Sequence, residues 1–481
     1  MIINDIPGHA AFVLRRLTEA GHKAYLVGGC VRDAVMGRKP HDWDVATSAR
    51  TDEVTRLFTK TVLTGARFGG VTVVFDDAAP AEAAPAEAAP AGAEPVDAAP
   101  AGAVAAGAAP VGAAAAGAEP AEAAAAEALV KGTVEVTTFR TDGTYSDSRR
   151  PDSVEFVSDI EADLSRRDFT VNAMAAGRDG RVIDPFGGIG DIAVSVIRCV
   201  GDPLERFSED ALRMFRAFRF SAELGFSIEP DTLYAIGIAA PKAQHISAER
   251  IRAELEKTIM SGKPWVAGDI IEAGLLVRFL QDSRQKRAPR PEAPKGGEPQ
   301  CNVQQKVVPQ FDVPQKDVKL TGECSLSESF EKLAALPEEP AIRWCAFCAV
   351  LLDFACISSA ADFLRSLRLD VKTISCCSEA LTIISFPNDK VGIKRLLAEH
   401  GVDAVRCAAA SIGGTDTLSE ADDVISSGEC FSLRDLALNG DDLVKMGYAQ
   451  GREIGETLGK LLNHVIDHPD DNIPEALIKL L

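Results

Sequence analysis

The sequence predicts an α+β chain, with its strands gathered in roughly the first 180 residues and helices alone beyond them. Three observations carry this. Residues 25–47 read as strand, glycine turn, short helix and second strand. Apolar, strand-like runs recur at residues 71–75 and 134–140. Beyond about residue 197 apolar residues fall at helical spacing, as with Leu212, Phe215 and Phe218. At 481 residues the chain is too long for one ordinary core, so several domains are expected.

Residues 7–20 predict an amphipathic helix closed by Gly21. The strand Tyr25-Leu26-Val27 stops at Gly28-Gly29, where the backbone can come close to a bulky anion. A helix starting at about Cys30 points its unpaired N–H groups over that turn, which suits a phosphate. Arg32 adds a fixed positive fork one turn in. Asp42 and Asp44 then stand two apart in a strand-like stretch and so share a face. Two neighbouring carboxylates repel unless a cation lies between them, and beside a phosphate-binding turn that cation is Mg²⁺. A lone DxD reads as a solvated loop; the GGCVRD block at residues 28–33 weighs against that.

Thr51 is expected to cap a helix with acids in its first turn. Two strands follow within residues 60–75. Residues 77–130 are nearly all Ala, Pro, Glu and Gly, too poor in large apolar groups to offset chain entropy. They predict a disordered or loosely helical insert in a hairpin, entered at 71–75 and left at 133–139. In the returning strand Glu135 alternates with Val134 and Val136, so it faces away from them. Residues 141–154 are polar and doubly basic at Arg149-Arg150. A helix is then expected from about Ser208, with Ser208 as cap and Glu209-Asp210 in the first turn. Asp210 and Arg213 would share a helical face, and Arg216 and Arg219 would extend it as a basic stripe.

Spacing alone makes Asp210 and Arg213 a helix ion pair. Chemistry offers a sharper reading. Cytosine and adenine both present an amino donor beside a ring-nitrogen acceptor, so an Asp can accept from one and an Arg donate to the other. Uracil and guanine mismatch both groups and leave buried polar atoms unpaired, which is a strong form of rejection.

These blocks resemble a known family. GGCVRD with DWDVAT, RRDFTVNAMA at 166–175 and EDALRMFRAFRF at 209–220 resemble the class II tRNA nucleotidyltransferases, or CCA-adding enzymes, and the related bacterial poly(A) polymerases. The resemblance implies a polymerase-β-like head with a mixed sheet and helices at residues 1–180. It further implies a helical neck at 181–265, a linker at 266–320, a helical body at 321–425 and a tRNA-binding tail at 426–481. It assigns Asp42 and Asp44 to the metals, with Glu135 as a third catalytic carboxylate. Gly29, Arg32, Arg167, Arg216 and Arg219 are assigned to the nucleotide, and Asp210 and Arg213 to its base. Asp168 is placed to accept from sugar hydroxyls, and the 245–257 block is mainly structural. The intact 141–154 loop argues for addition of the final adenosine. The implied partners are CTP, ATP and the tRNA 3′ end. A poly(A) polymerase, an A-adding-only enzyme and a silent RNA-binding protein are the rival readings.

The formal charge of −20 is odd for a nucleic-acid binder, and nine of the acids lie in residues 76–130. RNA contact must therefore come from local basic stripes. Eleven scattered cysteines and no secretory signal favour free thiols in a reducing cytoplasm. Cys345 and Cys348 form a CxxC in an apolar helical run, which reads as a buried helix face rather than zinc. That run is too short and interrupted to span a membrane. Gly447, Gly451 and Gly455 predict either turns or close packing, and His464 with His468 reads as a surface or core pair. Oligomeric state is not written in the sequence.

Overall fold

The structure, a computed structural model, describes residues 3, 5–64, 69–75, 132–143, 153–284 and 326–481. The Ala/Pro-rich insert, the Arg149-Arg150 pair and most of the expected linker lie outside these residues. The chain divides into two compact units. One comprises Met1–Arg140, Phe156–Ile160 and Ala175–Ile183; the other comprises Thr141–Glu155, Glu161–Met174 and Asp184–Leu481.

The first unit is built on a mixed sheet. Its strands are β1 (Ala24–Val27), β2 (Trp43–Thr47), β3 (Thr61–Val62), β4 (Gly70–Phe75) and β5 (Gly132–Thr138). The order is β3-β4-β5-β2-β1, continued by Ala175–Ala176 and Val182–Ile183. Only β2 and β5 run parallel; the other neighbours are antiparallel. The expected hairpin is present, with Val71 opposite Val136 and Phe75 opposite Gly132. Trp43, Val45, Val71, Val73, Val134 and Val136 are all buried and fall on one face of this register. Burying each such valine stabilises the fold by roughly 1.5–3 kcal/mol. A one-residue slip would turn the whole row to the other face, so the register is held.

Helix α1 (Gly8–Glu19) buries Ala10, Val13, Leu14 and Leu17 and packs against β1, β2 and β5. Gly21 closes it at φ 86°, as expected. Helix α2 (Gly29–Val35) starts one residue earlier than expected. Helix α3 (Thr51–Leu57) corrects the expected cap: Thr51 is already helical, and the N–H of Arg50 donates to Glu53 Oε2 at 2.7 Å. The acid three residues on satisfies the end that the hydroxyl was expected to cap.

The second unit is mainly helical, but the paired strands Val196–Ile197 and Ser227–Ile228 correct the expectation of helices alone beyond residue 180. Its first long helix corrects the expected one. Pro203–Glu209 forms a separate helix, opened by Asp202, whose carboxylate accepts from the N–H groups of Leu204 and Glu205. The chain is extended at Asp210 (φ −139°, ψ 102°), and the next helix spans Leu212–Leu224. Ser208 therefore ends a helix instead of starting one. Asp202-Pro203 is a helix-start signature in its own right, and it wins over Ser208. Leu212, Phe215 and Phe218 are buried, as their spacing predicts.

Leu212–Leu224 packs on Ala248–Met260. Beyond them, Pro340–Asp353 crosses Val371–Ala380 and Val402–Ser426. Arg343 is buried there and donates to the carbonyls of Ile259, Ser261, Leu336 and Pro337. These include carbonyls at the end of Ala248–Met260, which a helix leaves without internal partners. Cys345 and Cys348 are both buried, as expected of a core-facing helix side. Toward the C-terminus Gly447 and Gly451 take φ of 97° and 119°, so they serve as turns. Gly455 lies in a helix and faces open space, so close packing is not its role. His464 stacks on His468 and pairs with Asp471 at 2.7 Å. No helix among the described residues is long and apolar enough to cross a membrane.

Candidate active site

In the first unit the sheet sets two of the three expected carboxylates side by side. Asp44 lies in β2, and Asp42 sits in the bend just before it. The parallel register sets Asp44 directly beside Glu135 of β5. Register partners in a sheet point to one face, so these two acids project together on the side opposite the buried valines. Asp42 and Glu135 are exposed and Asp44 is partly so. Among the described residues no three His, Cys, Asp or Glu side chains form a group able to hold a metal alone. A paired set of hard oxygens, with no nitrogen or sulfur, fits a Mg²⁺-type cation. Such an ion takes one or two carboxylates and completes its shell with substrate phosphates and water.

The glycine turn lies at the end of β1. Gly28 has φ 77° and ψ −133°, a conformation closed to ordinary side chains. Gly29 opens α2, and a Cβ there would sit 3.7 Å from an Arg32 terminal nitrogen. The Arg32 guanidinium thus lies over the turn, steered by Asp33 at 2.7 Å. The expected strand, turn and helix are present, and they put a guanidinium and backbone N–H groups on one short segment.

In the second unit, Asp163 is buried and anchors two arginines. Arg166 reaches it at 2.7 Å and Arg167 at 3.2 Å. The Nε of Arg167 is buried without a hydrogen-bond partner, so this guanidinium keeps an unused donor. Asp168 turns inward. It accepts from the Phe169 N–H at 2.9 Å and from Arg216 Nε at 2.7 Å, with Asn172 Nδ2 at 3.4 Å. In this arrangement the Asp168 carboxylate aims Arg216.

Burial alone would raise the Asp168 carboxyl, but the charge and hydrogen bond of Arg216 outweigh it and hold it at about 2. An unfolded Asp titrates near 3.9, so the folded state favours the ionised form. The resulting stability, about 2 kcal/mol, is complete above the unfolded value and is lost as pH falls toward about 2. Asp168→Asn should therefore lower the urea midpoint at pH 6, with the gap to wild type narrowing as pH drops below about 4. A gap independent of pH would reject this pairing.

The base-reading pair is not a pair in the structure. Asp210 is not helical, so it does not share a helical face with Arg213. Its Oδ1 accepts from the Leu212 N–H at 3.1 Å and its Oδ2 from Arg250 at 2.7 Å. Arg213 is buried and donates to Glu209 at 2.5 Å and to the Arg166 carbonyl at 2.9 Å. The ion-pair reading of their spacing is thus set aside, and each group is held by its own anchor. Arg219 is enclosed by Glu254 at 2.6 Å and Glu223 at 2.7 Å and lies over the Phe220 ring. The expected open stripe is split: Arg216 stays partly exposed, whereas Arg219 is buried. Arg250, Glu209 and Asp163 carry no signal of a site role in the sequence, because what matters in each is its partner.

Acidic oxygens beside a glycine turn are the requirement of nucleotidyl transfer, and the sequence families agree on the class. Residues 24–94 and 113–198 match the poly(A) polymerase head domain. Residues 225–282 match the probable RNA and SrmB-binding site of polymerase A, and 343–481 match the putative tRNA nucleotidyltransferase domain 2. The CCA-adding enzyme of Limosilactobacillus fermentum is 32% identical, over 97% of this chain and 94% of that protein. That of a Geobacillus species is 31% identical over the same shares. The structure of the Bacillus stearothermophilus CCA-adding enzyme in complex with CTP superposes with a TM-score of 0.64 at 27% identity, covering 95% of this chain and 92% of that one. The chain belongs to the CCA-adding enzymes and is a tRNA nucleotidyltransferase. Membership suggests a divalent-metal requirement.

Proposed function

We propose that this protein adds C, C and A without a template to the 3′ end of tRNA, from CTP and ATP, with release of pyrophosphate. The observation that carries the chemistry is the side-by-side register of Asp44 and Glu135. Near-full-length relatives named CCA-adding enzymes support the substrate. So do related structures described with CTP, with ATP and with tRNA-CCA. Asp42, Asp44 and Glu135 would hold Mg²⁺. Mg²⁺ at such a site supplies Lewis-acid polarisation of the α-phosphate and lowers the pKa of the RNA 3′-hydroxyl.

The remaining work falls to this chain's own groups. On the first unit, the Gly28-Gly29 turn and Arg32 are suited to receive triphosphate oxygens. On the second unit, Arg167 and Arg216 offer guanidinium donors. Arg219, fixed between two carboxylates, acts by stiffening the helix that carries Arg213 and Arg216. Asp210 keeps free acceptor capacity on oxygens already oriented by Leu212 and Arg250, as reading a base amino group requires. Arg213 donates to the ring nitrogen. A tRNA substrate and the free thiols among the described residues support a cytoplasmic setting.

Labelled CTP or ATP with Mg²⁺ and tRNA transcripts ending before CCA, after C and after CC tests this reading. Addition of C, C and A that then stops is expected. Long A tails would indicate a poly(A) polymerase, and A added only after CC an A-adding enzyme; either outcome overturns the proposal.

A further inference from the structure

Four thiols converge in the helical second unit, away from every residue assigned above. Cys345 comes from Pro340–Asp353, Cys376 and Cys377 from Val371–Ala380, and Cys407 from Val402–Ser426. The Sγ atoms of Cys376 and Cys407 are 3.6 Å apart. Cys345 lies within hydrogen-bond reach of Cys377 and Cys407 and accepts from Ser411 Oγ at 3.4 Å. Cys377 donates instead to the Ala341 carbonyl, 3.7 Å away.

The members differ in access. Cys345, Cys377 and Cys407 are buried, whereas Cys376 is partly exposed. The hydrogen bond shared with Cys407 also lowers the Cys376 thiol from its ordinary value. A reachable, acidified thiol in van der Waals contact with a buried one is the arrangement of an attacking and a resolving cysteine. A disulfide needs its sulfurs at about 2.05 Å, so a gap of some 1.5 Å remains to close between two helices already packed together. Lys372, one turn before Cys376, adds positive charge, though Asp403 pairs with it at 3.1 Å.

We propose that Cys376 and Cys407 form a reversible disulfide when the protein meets a hydroperoxide. The Cys376 thiolate attacks the peroxide, the O–O bond breaks, and a sulfenic acid forms; the departing hydroxide or alkoxide takes up the proton the thiol had released and leaves as water or an alcohol. The Cys407 sulfur then attacks the sulfenic sulfur. The S–O bond breaks, and hydroxide leaves as water with the Cys407 proton. The two sulfurs give up two electrons, and the peroxide takes them. A thiol reductant reverses the change by exchange.

The test treats the full-length protein with hydrogen peroxide, blocks the remaining thiols with an alkylating reagent, and maps peptides by mass spectrometry. Trypsin puts Cys376 and Cys377 on residues 373–390 and Cys407 on residues 407–434. These two peptides are expected as one linked species, with two of the chain's eleven thiols lost and both recovered by dithiothreitol. The link should disappear in Cys376→Ser, and in both Cys407→Ser and Cys407→Ala, and persist in Cys377→Ser and Cys348→Ser. In the Cys407 variants a sulfenic acid at Cys376 should be trapped by dimedone. A link that survives Cys376→Ser, a link through Cys345, or over-oxidation of Cys376 with Cys407 still reduced would each overturn the proposal.

Discussion

Asp44→Ala abolishes nucleotide incorporation, lowering kcat/KM by about 10³-fold or more on a tRNA ending in CC, and Asp42→Ala does the same. The expectation rests on position. Asp44 stands on the sheet face opposite the buried valines, and Asp42 is exposed just before it. Their loss removes charge without opening a cavity, so thermal unfolding should shift little while activity disappears. Glu135→Gln keeps the shape and one neutral oxygen beside Asp44, so its loss of activity should be smaller. Equal and full loss in Glu135→Gln would make it a ligand on a par with the two aspartates. Activity within tenfold of wild type in Asp44→Ala would sink the assignment of this sheet face. Titrating Mg²⁺ against each variant separates the causes: a weakened metal site should need more Mg²⁺ before any activity returns.

Asp210→Ala should lose base discrimination more than it loses turnover. In our reading the carboxylate accepts from the amino group shared by cytosine and adenine. A hydrogen bond to a charged group is worth roughly 1.5–3 kcal/mol, so kcat/KM for CTP and ATP should fall about 10- to 150-fold. UTP and GTP, which gain nothing from Asp210, should fall much less, and the preference should collapse by a similar factor. The structure adds a control. Arg250 orients Asp210 from a distant helix at 2.7 Å, so Arg250→Met should lower CTP and ATP use while leaving the acceptor in place. The measurement is kcat/KM for all four nucleotides on one transcript. Equal loss for all four in Asp210→Ala would mean that it supports the fold alone.

Much of the first unit was legible because its information is local. The strand–turn–helix at 24–35 follows from an apolar run, two glycines and a helix former. The alternation in β5 placed Glu135 opposite its valines before any register was known. The helix at 212–224 was read with the wrong start. Ser208 looked like a cap, while Asp202-Pro203 a few residues earlier opened a separate helix and left Asp210 extended. Seen that way, Asp210 behaves as short polar side chains do near helix ends: its side chain takes a backbone N–H that the helix cannot satisfy.

The sequence by itself determined the class of enzyme and singled out the residues proposed to carry its chemistry, because periodicity, turn residues and motif blocks are properties of neighbours along the chain. Only the tertiary structure decided who faces whom. It set Asp44 beside Glu135, aimed Arg216 with Asp168, gave Asp210 to Arg250 and buried Arg219 between two acids. A charged side chain has many candidate partners within reach of its own helix, and each surface pair is worth less than about 1 kcal/mol. The choice among them falls to burial and to the return of distant segments, which spacing along the chain does not encode.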